Sequence, residues 1–273
     1  MKGPEFLQQH VGKLNSRMGG VVPGSHAAIR GLDLHSTFEG AEWVDLFVFA
    51  HTGRRLTPNQ LRLIQNLWIY SSYPDARIWN NRVAALGGTT RSTASLAISA
   101  ALAVSEATIY GRGIDIRAIS FLREALCAVS NGATIADCVR NELDSHRGIA
   151  GFGRPLTAED ERIRPTLALA ARLDLGGGPH IRLAFDIDDH LNKGRWRMRI
   201  NFGAVAAALM ADMGFSAREY YLCAFPTFLA GMLPCYMEAS EQPEGAFLPI
   251  PCDDVMHSGH EPRIWATSRK REP

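Results

Sequence analysis

The stretch TTRSTASLAISAALAVSEATIYGRG, from Thr89 to Gly113, decides how the fold is read. Residues 89–107 are dominated by Ala, Ser, Leu and Ile, the composition of a helix that lets neighbours approach closely and is buried all round. The glycines of Gly111-Arg112-Gly113 then read as a left-handed stop. Outward from this helix, most of the chain keeps helical period. Residues from about 39–50 place Trp43, Leu46, Phe47 and Phe49 on a buried side, with Gly53 as the stop. Thr57-Pro58 reads as an N-cap with proline in the first turn, and Leu61, Ile64, Leu67 and Trp68 carry that helix towards Ser71. Thr134/Asp137, Thr157/Asp160 and Ser216/Glu219 each show the three-residue spacing of hydroxyl and carboxylate that marks a helix start. Gly176-Gly177-Gly178-Pro179 reads as a helix–helix loop. Alternating strand patterns are nearly absent; residues 181–185 are the one candidate, and they equally open a helix. The fold class is all-α.

A chain of 273 residues with 46% hydrophobic and 21% charged residues buries a substantial core and is ordinary for a soluble globular protein. A net charge of +1 gives no electrostatic reason to expect nucleic acid or an acidic membrane surface as a partner. The five cysteines, Cys127, Cys138, Cys223, Cys235 and Cys252, lie far apart with no C-x-x-C pair, which favours reduced thiols and a cytoplasmic location. Cys127, Cys138 and Cys223 fall on apolar helix patterns and read as buried. The N-terminus has no apolar segment of the kind that directs secretion, and no apolar run approaches the roughly 20 residues of a membrane span.

Residues 151–164 are the strongest local signal for chemistry. A glycine-rich turn, Gly151-Phe152-Gly153-Arg154-Pro155, runs into a helix start near Thr157, with Arg154, Arg162 and Arg164 around it. Exposed backbone N–H groups and arginines together suit a carboxylate or phosphate. An equal reading is a loop stapled by surface arginines. Asp186-Ile187-Asp188-Asp189-His190 has metal-ligand types, but Asp186 and His190 share a helix face that the others leave, so a solvated face is expected and no metal. His257 and His260 lie in a loop without an implied third ligand. No G-x-S-x-G elbow occurs, and Gly176 to Gly178 lacks the preceding strand of a dinucleotide site.

The elements in order resemble the citrate synthase superfamily, closest in layout to its short citryl-CoA lyase-like members. Ile29-Arg30-Gly31-Leu32-Asp33 is similar to an early R-G-x-D element, and residues 46–56 to the helix ending in T-G-x-x-P/L. Residues 72–82 match the segment from the family's first functional histidine to an Arg-Val pair. Gly231-Met232-Leu233-Pro234-Cys235-Tyr236-Met237-Glu238 matches the late G-W-I-A-H-W-x-E helix, and Ser258-Gly259-His260-Glu261-Pro262-Arg263 the closing G-x-x-P-R. The resemblance implies an N-terminal arm (1–28), a helical domain (29–265, with a small lobe at about 154–230) and a tail (266–273). It also implies a homodimer, with 89–107 as a close-packing helix at the interface or in the core beside it.

The departures bear on chemistry. The family's first histidine falls on Ser72, that of P-L-H-G-G on Tyr110, that of G-F-G-H on Arg154, and the carboxylate base of V-D-F on Asn201. Arg82 and Arg162 match retained arginines, whereas two polycarboxylate-binding arginines become Phe228 and Ile250. Gly111, Gly151, Phe152 and Gly153 fall where the family's loops meet its coenzyme A thioester. An amide cannot accept an α-proton, and a guanidinium is permanently protonated, although it can clamp an oxyanion. The resemblance therefore implies an enzyme that makes or breaks a C–C, thioester or related bond on a substrate other than citrate or oxaloacetate. A coenzyme A thioester is its co-substrate and no cofactor is permanently bound. Tyr110 and Arg154 stabilise an oxyanion, Asn201 positions the reacting group, and Asp75 or a water is the base. The alternative is a non-catalytic relative that binds coenzyme A or serves as a regulatory or scaffold subunit.

Overall fold

The computed structural model describes residues 3–12, 16–153, 159–194, 198–247 and 249–260. Within them lie thirteen α-helices and one small sheet, so the all-α class holds. An N-terminal group comprises α1 (Pro4–His10), β1 (Gly19–Val22), β2 (His26–Ile29), β3 (Leu32–Asp33) and α2 (Leu34–Thr37). The helical body follows as α3 (Trp43–Thr52), α4 (Pro58–Ser71), α5 (Trp79–Thr89), α6 (Ala94–Val104), α7 (Arg112–Ser130) and α8 (Ile135–Ser145). It continues through α9 (Ile163–Arg172), α10 (Pro179–Lys193), α11 (Phe202–Asp212), α12 (Ala217–Cys223) and α13 (Leu229–Glu241).

The sheet is the feature the sequence pattern hides. Its strands run antiparallel in the order β1-β2-β3, with Gly19 opposite Ile29 and Ala28 opposite Asp33. They are short and carry no buried residue, so hydrophobic alternation has nothing to mark. The signal was in the turns. Arg30 and Gly31 both take positive φ, 50° and 82°, as a two-residue hairpin turn requires. The Arg30 side chain then donates to the carbonyls of Ala50 and His51 at 2.9 and 3.1 Å, fastening the sheet to the end of α3. Residues 181–185 are helical, inside α10.

Helix boundaries follow the cap chemistry. Reciprocal capping boxes form at Thr57/Gln60, Thr134/Asp137 and Ser216/Glu219, and Gly53 ends α3 in the left-handed region. Thr157 lies outside the described residues. Three expectations about burial are corrected. The inward face of α3 is Val44, Asp45, Val48 and Phe49, while Trp43 is 65% exposed. Residues 89–107 are not one helix buried all round: α5 ends at Thr89 and α6 buries only Ala97 and Ala101, with Leu96 66% exposed. A charge-free run of small residues is compatible with a core or with an open apolar face, and neighbours decide between them. The fully surrounded helix is instead α11, where every residue from Ala204 to Ala211 is buried. Cys138 and Cys223 are buried as expected, but Cys127 is exposed on α7.

The core has two parts. The main cluster draws on α3, α4 and α7 to α12 around α11, and a satellite packs α5, α6 and α13 through Ala84, Ala85, Ala101, Met232, Cys235 and Ala239. The connections that cross between these parts carry the site.

Candidate functional site

A cleft of about 810 Å³ opens along the seam between the two clusters. Its size is that of a small-molecule site. The segment after α4 supplies Tyr73 and Asp75, and the start of α5 Trp79 and Asn80; the first glycine loop supplies Tyr110 and Gly111; and α7 supplies Asp115. The second glycine loop adds Gly151, Phe152 and Gly153, the approach to α9 adds Asp160 and Arg162, the start of α11 adds Asn201 and Gly203, and the turn before α13 adds Phe228. A second cavity of about 260 Å³, between Ala76, Cys235, Glu238 and Phe247, lies on the satellite side.

The first loop is built by Gly111 and Arg112. Gly111 does not stop the preceding helix; it is the N-cap of α7, at φ 76°. A Cβ there would overlap the carbonyl oxygen of Ser105, to which Arg112 N–H donates at 2.9 Å. The Arg112 side chain turns inward, only 1% exposed, with an ion pair to Glu106 at 2.6 Å and its guanidinium 4.7 Å over the Phe225 ring. This knot holds Tyr110 over the cleft between Trp79 and Phe228, with ring centroids 5.2 and 6.2 Å away. Phe228 itself adopts a left-handed φ of 75°, a conformation that costs a non-glycine residue roughly 1 kcal/mol or more. One wall of the cleft is thus aromatic.

The second loop is stitched to the start of α11. Asn201 N–H donates to the Gly151 carbonyl at 2.9 Å, Asn201 Nδ2 to the Gly153 carbonyl at 2.8 Å, and Asn201 Oδ1 accepts from Gly203 N–H at 2.9 Å. Gly151, at φ 87°, has no room for a side chain, because a Cβ would stand 2.6 Å from that of Ala204. Asn201 therefore caps α11 and anchors the loop with both ends of its amide.

Arg162 lies across the cleft floor and donates from Nε and Nη2 to Asp160 at 2.8 and 2.7 Å. Its guanidinium also sits 4.6 Å over Phe202 and 5.7 Å over Tyr73. Asp160 in turn accepts from Phe202 N–H at 3.0 Å. Burial pushes the Asp160 carboxyl up, but the bonds from Arg162 and Phe202 outweigh it and hold the group below its ordinary range. The pair's charges largely cancel.

Of the residues the sequence singles out, Tyr110, Asn201, Asp75, Arg162, Phe228, Gly111, Gly151, Phe152 and Gly153 line this one cleft. Ser72, Arg82 and Ile250 do not. Ser72 Oγ donates to the Trp68 carbonyl at 2.8 Å, and Arg82 and Ile250 are exposed. Arg154 lies outside the described residues. Three assigned roles meet contrary geometry. The Tyr110 hydroxyl donates to Asn80 Oδ1 at 3.0 Å, so its proton is directed away from an oxyanion, and burial pushes its pKa up to about 12. Asp75 is held at the rim by Arg77 at 2.7 Å, and the Arg77 side chain and backbone N–H keep its carboxyl below the usual range, which makes it a weak base. The Asn201 amide is spent on the loop backbone. The expected solvated face of α10 needs one amendment: Asp188 is buried, accepting from Arg199 and from Ile200 N–H at 2.6 Å.

The sequence reading missed Asp115. It stands in the first turn of α7, and its Oδ1 faces Gly203: a Cβ built on that glycine would lie 3.7 Å from Asp115 Oδ1 and 3.1 Å from Asn201 Oδ1. Burial raises its pKa to about 7, against the opposing charges of Arg162 and Arg112. The one available signal was an acid between Ile114 and Ile116 just inside a glycine-started helix.

No family model matches this sequence, and no curated protein matches it either. Solved structures do match by shape. Citryl-CoA lyase from Hydrogenobacter thermophilus superposes with a TM-score of 0.78 at 18% identity, over 92% of this chain and 97% of that one. ATP citrate lyase from Methanosaeta concilii, in complex with (3S)-citryl-CoA, gives 0.75 at 11% identity, and the match spans only 44% of that longer chain. Citrate synthase from Thermoplasma acidophilum, in a ternary complex with carboxymethyl coenzyme A and oxaloacetate, gives 0.63 at 16% identity over 82% of this chain and 59% of that one. The chain has the fold that these lyases and synthases share.

Proposed function

We propose that this chain, built on the fold of citryl-CoA lyase and citrate synthase, acts on an acyl-thioester-derived substrate other than citrate. The reaction makes or breaks a C–C, thioester or related bond beside the thioester carbonyl. The observation that carries this reading is the cleft: both glycine loops, the start of α11 and Arg162 converge on one space of about 810 Å³. One of the similar structures holds (3S)-citryl-CoA, a coenzyme A thioester, and another holds carboxymethyl coenzyme A, which supports a thioester here. Two features argue against a polycarboxylate. Arg162 is neutralised by Asp160, and Phe228, Tyr110 and Trp79 face the cleft with rings. A substrate with an uncharged or aromatic acyl group fits that wall better than one bearing several carboxylates.

Tyr110 acts by shape, holding the aromatic wall, and Asn201 by fixing the second glycine loop to the start of α11. We also propose a homodimer in the cytoplasm. The exposed apolar face of α6, centred on Leu96, supports a helix-packed interface. Replacing Leu96 by Glu should then convert dimer to monomer in size-exclusion chromatography with light scattering.

The function is tested by turnover. Citrate synthesis from acetyl-CoA and oxaloacetate, and citryl-CoA cleavage, should both be absent, while solvent-deuterium incorporation beside the carbonyl of an aryl- or alkyl-acyl-CoA should be measurable. Citrate formation at ordinary enzyme rates, lost in Arg162→Ala, would overturn the substrate assignment. Saturable thioester binding with no exchange or turnover would favour the non-catalytic, coenzyme A-binding alternative.

A further inference from the structure

We propose that Asp115 is the general acid–base group of this cleft, exchanging a proton with the carbon beside the thioester carbonyl. The inference rests on the thioester reading above. Its ground is which side chains are committed and which are not. Asp160 is bonded to Arg162 and Phe202, Asp75 to Arg77, Asn201 to Gly153 and Gly203, and the Tyr110 hydroxyl to Asn80. Asp115 accepts no hydrogen bond from any described residue, yet it lines the cleft beside Gly203, where the missing side chain leaves its Oδ1 facing open space.

The groups around Asp115 are named by their effect on it. Arg112, on its own helix, and Arg162, at the start of α9, favour the carboxylate; Tyr110 and Tyr220, from the loop and from α12, are the neighbouring phenols. Neither phenol competes for the role, since burial pushes both upward. The Cys223 thiol in the same wall is likewise pushed up to about 12 by burial. Asp115, at about 7, is the described cleft residue poised to gain and lose a proton near neutrality.

In the step, a carboxylate oxygen of Asp115 takes the α-proton. The C–H electron pair becomes the carbon–carbon π bond of the enolate, and the carbonyl π pair moves onto oxygen. Return of the proton from Asp115 to carbon reverses each movement, so no oxidant, reductant or further reactant is needed.

The experiment is α-proton exchange of an acyl-CoA in deuterium oxide, followed by mass spectrometry across pH 5 to 9, with wild type, Asp115→Asn and Asp115→Glu. Thermal unfolding verifies that each variant is folded. Wild-type exchange should rise as Asp115 ionises and level off above about pH 7. Asp115→Asn should lose on the order of 100-fold or more, and Asp115→Glu should regain part of it with a displaced pH midpoint. A folded Asp115→Asn that exchanges like wild type, with the same pH profile, overturns the assignment of Asp115 alone. Absence of exchange in wild type with every thioester overturns the thioester reading and this proposal with it.

Discussion

Replacing Asp115 by Asn should make the protein more stable above neutral pH, and the size of the gain follows from the carboxyl's surroundings. Asp115 titrates near 7 in the folded cleft against an ordinary value of 3.8, because burial disfavours its charge more than Arg162 and Arg112 favour it. The folded state therefore holds a proton that the unfolded chain has released between about pH 4 and 7. Stability falls with pH wherever the folded state binds more protons. This contribution is thus most favourable below pH 4, declines through the window, and is flat above about 7. Some three units at 1.36 kcal/mol each set a ceiling of about 4 kcal/mol. The group faces an open cleft, and solvent screening brings the expectation to roughly 2 kcal/mol. Asn is neutral throughout and nearly isosteric, so it lacks the penalty. The assay is thermal unfolding of both proteins at pH 5 and pH 8. About three-fifths of that loss falls between pH 5 and pH 8, so the difference in Tm should move by roughly 2–3 °C in favour of the variant between the two, at about 2 °C per kcal/mol for a chain of this size. A difference that stays constant with pH would refute the reasoning, since it would mean that Asp115 titrates alike folded and unfolded.

Other consequences follow from the cleft walls. Asp160→Ala leaves Arg162 without its partner and Phe202 N–H without an acceptor, and should cost about 3–5 kcal/mol in denaturant unfolding. Gly111→Ala and Gly151→Ala each place a Cβ in a left-handed position against neighbouring backbone, and calorimetry should show losses of about 2–4 kcal/mol. Asn201→Ala removes the cap of α11 and the anchor of the second loop, and should lower stability by about 1–2 kcal/mol while weakening thioester binding. Below pH 4, protonation of Asp160 should contribute to acid unfolding, because its folded pKa lies under the unfolded one.

Local chemistry was the legible part of the sequence. Thr57, Thr134 and Ser216 announce their helices because a cap is a contact within four residues. The second glycine loop was likewise found from its composition. What escaped depended on neighbours distant in the chain. A run of Ala, Ser and Leu does not state whether another helix will cover it, so the sequence does not tell the half-open α6 from the surrounded α11. The strands β1 to β3 bury nothing and are set by turns rather than periodicity. Asp115 looks like any polar residue on an amphipathic helix until the Ser105 to Gly111 loop and the start of α11 close around it. Conversely, Tyr110 and Asn201 line the cleft, and their hydrogen bonds to Asn80, Gly153 and Gly203 tie them to its framework.

The central claim is that the cleft receives an acyl thioester and not a polycarboxylate. The most direct measurement is a thermal-shift titration of the purified protein with coenzyme A, acetyl-CoA, longer and aryl acyl-CoAs, citrate and oxaloacetate. A saturable shift with thioesters is expected, reaching about 2.7 kcal/mol of stabilisation at 100 times Kd, greatest for uncharged or aromatic acyl groups, and none with citrate or oxaloacetate. No shift with any thioester, or a stronger response to the polycarboxylates, would contradict it.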